Sequence, residues 1–472
     1  MEETIKTKKQ FKMPHAFAIM CIIILLMCVL TYIIPPGEYQ RQLDEVTGRE
    51  LVVPGTFQYL DEANPQGLWA FVRSLYSGCV DAADIIFFIV FATAYAYLLQ
   101  TTGALNAMTG ALLRKLGRKD YLLIPIFMTL FGLGGTSFGM YEETYALIPA
   151  FIAIALTMGY DRVVGGGLCF VGVATGFAAA ILNPFTIGIA SAIAKVPLVG
   201  PKITLFRIAA FICFMALTIW YTMRYAARIK KDPTRSVMYG DPHARDIGVD
   251  VLSREQVVAL PFTTAQKITI AGFVGLIIAL GITVGIYGWY LEQLSGLFLC
   301  FFIFTALVNK MKLDDICSHF VRSAEIAMFG SLLVGFARSV NVIMEDANII
   351  DTAVYNIANL VQNLPGWAQG IGMLIVQNIV NFFIPSGSGQ AAVMMPIMSP
   401  LADAIHLPQE IAITAYQFGD GFSNMFWPTA VATECGIMGI AMNRWYKFIT
   451  PLFGMMFLLQ AVFIVVGTVF VF

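Results

Sequence analysis

Apolar runs of bilayer length alternate along this chain with short polar, basic segments, and four of the runs are broken by glycine, proline and polar residues. The unbroken runs predict helices at Pro14–Ile34, Ile85–Gln100, Leu205–Met223, Ile268–Tyr287, Gly296–Val308, Ala324–Ile343 and Phe448–Phe472, because roughly 20 apolar residues carry a helix across the hydrocarbon core. Runs 163–195 and 411–440 are interrupted at Asn183-Pro184-Phe185-Thr186 and GDGFSNMFWPT, and predict broken helices. Runs 120–157 and 366–400 turn at GLGGTSFG and IPSGSGQ, and predict re-entrant hairpins. Such interruptions leave backbone amides and carbonyls unpaired, which the bilayer tolerates only inside protein or beside a water-filled cavity. The fold class expected is an all-α polytopic membrane protein with about nine transmembrane helices, two re-entrant hairpins and two broken helices.

Lysine and arginine positions set the expected orientation, since cytoplasmic loops carry the excess. Residues 1–13, with Lys6, Lys8, Lys9 and Lys12, form a cytoplasmic N-terminus, and segment 35–69 is an external cap. Residues 14–226 make one repeat and 267–472 a second, joined by a cytoplasmic linker at 227–266. Phe71-Val72-Arg73-Ser74 recurs as Phe320-Val321-Arg322-Ser323 in register with the hairpins, before helices of opposite expected direction. The halves therefore read as an inverted repeat. Pro14–Ile34 ends in Pro35-Pro36 without a small-residue cleavage site, so it is expected to stay as the first helix rather than act as a signal peptide.

Composition agrees with this picture. With 58% hydrophobic and 12% charged residues and a mean hydropathy of +0.75, the chain is not an ordinary soluble protein. Its net charge of -1 offers no field for nucleic acid. The expected location is the cell (inner) membrane, multi-pass. The eight cysteines are scattered without a Cys-x-x-Cys pair and read as small core residues. No G-x-x-x-x-G-K-[ST] or H-E-x-x-H motif is present, which argues against an ATP-driven pump and against a zinc protease. The histidines fall near helix ends or loops, so a histidine proton relay is not expected. A secondary transporter is the expected class, with a channel as its nearest competitor.

Candidate chemistry gathers at the interruptions. Glycines and hydroxyls at Gly134-Gly135-Thr136-Ser137 and Ser386-Gly387-Ser388-Gly389 suit hard oxygen coordination of Na⁺ or a carboxylate meeting helix N-termini. Close helix packing by small residues is the competing explanation. Asn183-Pro184 and Asn424 to Thr429 open a helical turn beside an amide side chain, which a plain proline kink also does. Glu142 and Glu143 lie just past the first tip, Asp420 in the second broken helix and Glu434 after its interruption, while Arg338 lies outside the hairpins. A centre rich in carboxylates and poor in arginine suits a cationic or zwitterionic substrate; structural pairing of Glu142 or Glu143 with Arg338, or capping of backbone by either, stays open. The candidate substrate-binding residues are Thr136, Ser137, Glu142, Glu143, Asn183, Ser386, Ser388, Asp420, Asn424 and Thr429. A coupling Na⁺ would sit near Gly135, Thr136, Asn183, Ser386, Gly387 and Asn424; no other cofactor is expected.

Across most of its length the sequence resembles the YfcC family of basic amino-acid antiporters, related to C4-dicarboxylate carriers within the ion transporter superfamily. The resemblance rests on GMYEETYALIP at 139–149, ILNPFT at 181–186, IPSGSGQAA at 384–392, MPIMSPLAD at 395–403 and FGDGFSNMFWPT at 418–429. It implies an elevator mechanism, in which hairpins and broken helices form a mobile transport domain against a fixed scaffold that often dimerises. The expected function is antiport or secondary active transport of amino acids, basic ones (arginine- or ornithine-like) first. The alternative is Na⁺- or H⁺-coupled transport of a C4-dicarboxylate or short peptide.

Overall fold

The computed structural model describes residues 15–45, 49–242, 244, 252–362, 364 and 366–472. The expected cytoplasmic segment 1–13, His243 and part of the linker lie outside the described residues. The first helix, α1 (Ala16–Leu30), buries Met20, Ile24, Met27 and Cys28 along one stripe and exposes Ile22, Leu25, Leu26 and Val29 on the other face. An outward face of large aliphatics is at home only in lipid. Segment 35–69 then departs from all-helical expectation. Its strands β1 (Gly37–Glu38), β2 (Arg41–Asp44), β3 (Arg49–Val52) and β4 (Gln58–Tyr59) form two small antiparallel sheets, β1 with β4 and β2 with β3.

Helices α2 (Leu68–Asp81), α3 (Ala83–Thr101) and α4 (Ala104–Leu116) precede the first hairpin, whose arms are α5 (Leu123–Phe138) and α6 (Ile148–Thr157). Phe127 and Phe131 of α5 meet the ring of Phe151 edge-on at 4.9 and 5.0 Å, so the arms lie side by side. The first broken helix follows as α7 (Arg162–Gly166), a π-helical turn at Gly167–Val171 and α8 (Gly172–Ala178). After an open stretch it resumes with a π-helical turn at Pro184–Gly188 and α9 (Ile189–Ile193). Long α10 (Pro201–Lys231) closes this half, and α11 (Arg254–Ala259) belongs to the linker.

The second half begins with α12 (Thr264–Tyr287), α13 (Leu291–Val308) and α14 (Leu313–Asp346), followed by α15 (Ile350–Gln362). Its hairpin arms are α16 (Gly366–Phe383) and α17 (Gly387–Ala404). The broken helix is α18 (Gln409–Ser423) and α19 (Pro428–Met438), and α20 (Met442–Val466) ends the fold. The order hairpin, broken helix, long helix thus occurs twice. Among the described residues six helices are long and apolar enough to cross a bilayer: α3, α10, α12, α13, α14 and α20 with the turn after it. The other three expected crossings are α1, shorter at 15 residues, and the two interrupted helices.

α14 packs along α2 and α3, and α13 along α3. Gly78 and Gly335 make the α2–α14 crossing close: a Cβ at Gly78 would stand 2.4 Å from the Gly335 carbonyl oxygen. The β cap docks on the α14–α15 junction, with Gly37 N–H donating to Asn348 O at 2.9 Å, Tyr39 N–H to Asp351 Oδ2 at 3.0 Å, and Phe57 stacked on Tyr355 at 4.1 Å. Basic loops converge elsewhere. Arg114 donates to Val258 O (2.5 Å), Arg162 to Ala244 O (3.0 Å) and Gly439 O (2.9 Å), and Arg444 to Val237 O (2.6 Å). The linker therefore ties loops of both halves together.

Candidate functional site

Each hairpin is tied to the broken helix that follows it. In the first half the helix stops after Ala178, and Pro184 has no N–H, so several carbonyls and amides in between lose their helical partners. Thr136 replaces some of them: its hydroxyl donates to Ala179 O at 2.8 Å, and its carbonyl accepts from the Ile181 and Leu182 amides, both at 3.0 Å. Asn183 caps the second piece by accepting from Phe185 N–H at 2.9 Å. In the second half Asn381, near the end of α16, does the matching work. Its amide nitrogen lies 3.1 Å from Asp420 O, 2.6 Å from Ser423 Oγ and 2.7 Å from Asn424 Oδ1. Sequence reasoning missed Asn381, although a polar residue so close to a hairpin tip was a usable signal.

The first tip differs from expectation. The helix runs on through Gly132–Ser137, and the turn comes at Gly139, whose φ of +77° suits glycine. Gly132 and Gly135 serve packing instead: a Cβ at Gly176 of α8 would stand 2.0 Å from Gly132 O, and one at Gly135 would stand 2.5 Å from Val173 O. Ser137 is exposed and its hydroxyl donates back to Leu133 O at 2.5 Å, so it does not converge with the second tip. The second tip matches expectation better. Ser386 caps α17 by accepting from Gly389 N–H at 3.3 Å, leaving Gly387 and Ser388 in the first turn, where amides have no intrahelical acceptor.

Between the tips, α2, α3 and α14 lies a cavity of about 310 Å³. Of the sequence-derived set, Glu142, Glu143, Ser386, Ser388, Asn424 and Thr429 line it, and Thr136, Ser137, Asn183 and Asp420 do not. Glu143 accepts from Tyr141 N–H at 2.9 Å, and Glu434 accepts from the Tyr145 hydroxyl at 2.9 Å, joining α19 to the first hairpin. Asp81 and Asp84 add carboxylates that the sequence did not single out. Arg338 also lines this cavity and is paired with Asp81, not with Glu142 or Glu143. A second cavity, of about 530 Å³, lies between the β cap, the end of α14 and the same hairpin tip.

Asp420 sits behind the cavity wall. It is fully buried, neither carboxylate oxygen has a hydrogen-bond partner, and Oδ2 would lie 3.1 Å from a Cβ at Gly387. Thr186, beside the same glycine, is also fully buried with an unpartnered hydroxyl. Of the oxygens expected near Na⁺, Thr136 Oγ1 and Asn183 Oδ1 take part in the hydrogen bonds above. Asp420 and Thr186 both keep side-chain oxygens without a hydrogen-bond partner beside Gly387.

The profile of the DcuC family, described as C4-dicarboxylate anaerobic carrier, matches residues 13–469, and the chain belongs to that family. An uncharacterised protein of Haemophilus influenzae is 28% identical over 98% of both chains. An Escherichia coli protein named "Putative basic amino acid antiporter YfcC" is 27% identical over 98% of this chain and 97% of its own. Among solved structures, the YdaH transporter of Alcanivorax borkumensis aligns over 96% of this chain and 98% of its own, with a TM-score of 0.43 at 15% identity. MtrF of Neisseria gonorrhoeae aligns over 98% and 96%, with a TM-score of 0.45 at 15% identity.

Proposed function

We propose that this member of the C4-dicarboxylate anaerobic carrier family is an antiporter of basic amino acids. The observation that carries the proposal is the charge of the central cavity. Among the described residues Asp81, Asp84, Glu142, Glu143 and Glu434 line it against one cation, Arg338, which already has Asp81 as partner. A dicarboxylate would meet this surface as like charge, whereas a guanidinium or ammonium side chain supplies the missing counter-charge. The substrate's α-carboxylate would lie at the second tip, against the amides of Gly387 and Ser388. The name of the E. coli relative points the same way.

In this reading the two halves are inverted repeats, and the hairpins and broken helices move as one body, elevator-fashion, against a scaffold that includes α1, α12 and α14 and pairs as a homodimer. Convergence of the basic loops of both halves supports a single cytoplasmic face with the β cap opposite. A coupling Na⁺, if exchange is not self-sufficient, fits Asp420 and Thr186 better than Thr136 and Asn183, because the oxygens of the former have no hydrogen bond to give up.

The test is counterflow in proteoliposomes loaded with arginine, ornithine, neutral amino acids, short peptides or succinate, with and without Na⁺. Saturable arginine or ornithine exchange, uncompeted by succinate, is expected. Robust succinate uptake that arginine does not compete would transfer the assignment to the dicarboxylate alternative. Loss of trans-stimulation would point to a channel.

A further inference from the structure

Arg338 stands where the two cavities join. Arg338, Ser386 and Ser388 line both the central cavity and the larger one beneath the β cap, so a solute passing from one to the other must pass between α14 and the second hairpin tip. Two sets of donors belong to the elements that line this passage. One is the guanidinium of Arg338; the other is the first turn of α17, with the amides of Gly387 and Ser388. The carboxylates Glu142, Glu143 and Glu434, which line the central cavity, belong to the first hairpin and α19 and do not line the second cavity.

We infer that Arg338 is a specificity-determining residue that takes the substrate's α-carboxylate, exchanging Asp81 for it and closing the second hairpin tip onto α14. The side chains of Arg338 and Asp81 are 37% and 44% exposed and line the central cavity, so opening the pair requires little desolvation. A carboxylate matches the planar fork of a guanidinium by two parallel hydrogen bonds, which a lone Nε contact to Asp81 does not use. In this structure Asp81 holds the guanidinium at the junction of the cavities. Once a carboxylate is bound between Arg338 and the tip amides, it bridges α14 and the hairpin, which gives amino acids a closing contact that a diamine lacks. The inference rests on the basic amino-acid reading and adds to it the rejection of decarboxylated analogues.

The experiment compares unlabelled arginine, agmatine and arginine methyl ester as competitors of labelled arginine exchange in proteoliposomes. Binding to the purified carrier is followed in parallel by thermal stabilisation, so that variants which bind without exchanging are still read. In the wild-type protein arginine should compete about tenfold or more better than either analogue. Arg338→Gln should weaken arginine alone and bring the three ligands level, while Arg338→Lys restores part of the preference. The proposal is overturned if agmatine competes as well as arginine in the wild-type protein, or if Arg338→Gln lowers all three by a common factor. Exchange of arginine without preference for the carboxylate sinks this inference alone. Absence of any basic amino-acid exchange sinks the substrate reading, and this inference with it.

Discussion

Glu143 and Glu434 hold the same kind of position in the cavity lining: each is buried, and each accepts one hydrogen bond, from Tyr141 N–H and from the Tyr145 hydroxyl. Replacing either with glutamine keeps an oxygen acceptor of the same shape and removes the charge. If these carboxylates meet the substrate cation, Glu143→Gln and Glu434→Gln should fold normally and lose arginine affinity on the order of 100-fold, as removing one partner of a desolvated pair does. Wild-type affinity in both variants would put the cation elsewhere. Gly387 gives a second residue-scale test. A Cβ there would stand 2.6 Å from Thr186 Cγ2, so Gly387→Val should unseat the tip and lower exchange strongly, with α17 itself intact by circular dichroism. At this scale the sequence was readable only in part. It marked the acidic residues because charge in an apolar run is conspicuous. It could not show that Asp420 is sealed under Gly387, or that Arg338 meets Asp81, since those contacts join residues far apart in the chain.

The elements work because a hairpin repairs what a broken helix opens. Pro428 begins α19 and offers no N–H to the Asn424 carbonyl, and Asn381 reaches across from α16 to the opened, buried turn. Removing that side chain leaves buried acceptors without donors, at about 1–3 kcal/mol. Asn381→Ala should therefore lower the melting temperature in detergent and slow exchange together, whereas Thr136→Val should do the same in the first half through Ala179 and Ile181. If either variant keeps wild-type stability and rate, the hairpins are not fastened in this way. Both broken helices were legible in the sequence, because proline and asparagine stand out inside apolar runs. The first tip was misplaced for a physical reason: glycine serves a turn and a close helix crossing equally well, and Gly132 and Gly135 serve the crossing with α8. The β cap escaped the pattern because strands of two to four residues carry too few alternations to register.

Taken as a whole, the molecule brings α14, packed on α2 and α3, against α19, the second piece of a broken helix. That contact is where an elevator would have to slide. A Cβ at Gly330 of α14 would lie 3.9 Å from Ile437 Cβ on α19, close to the ~3.8 Å typical of a disulfide. In a background freed of the eight native cysteines, a Gly330→Cys, Ile437→Cys pair should therefore oxidise readily. If the hairpins and broken helices travel as a body, the cross-link should hold them in this state and abolish exchange, and reduction should restore it. Arginine binding from the open side should survive, because neither position lines the central cavity. A cross-linked carrier that exchanges at the reduced carrier's rate would show that α19 need not move past α14, and would leave local opening of a hairpin tip as the gate.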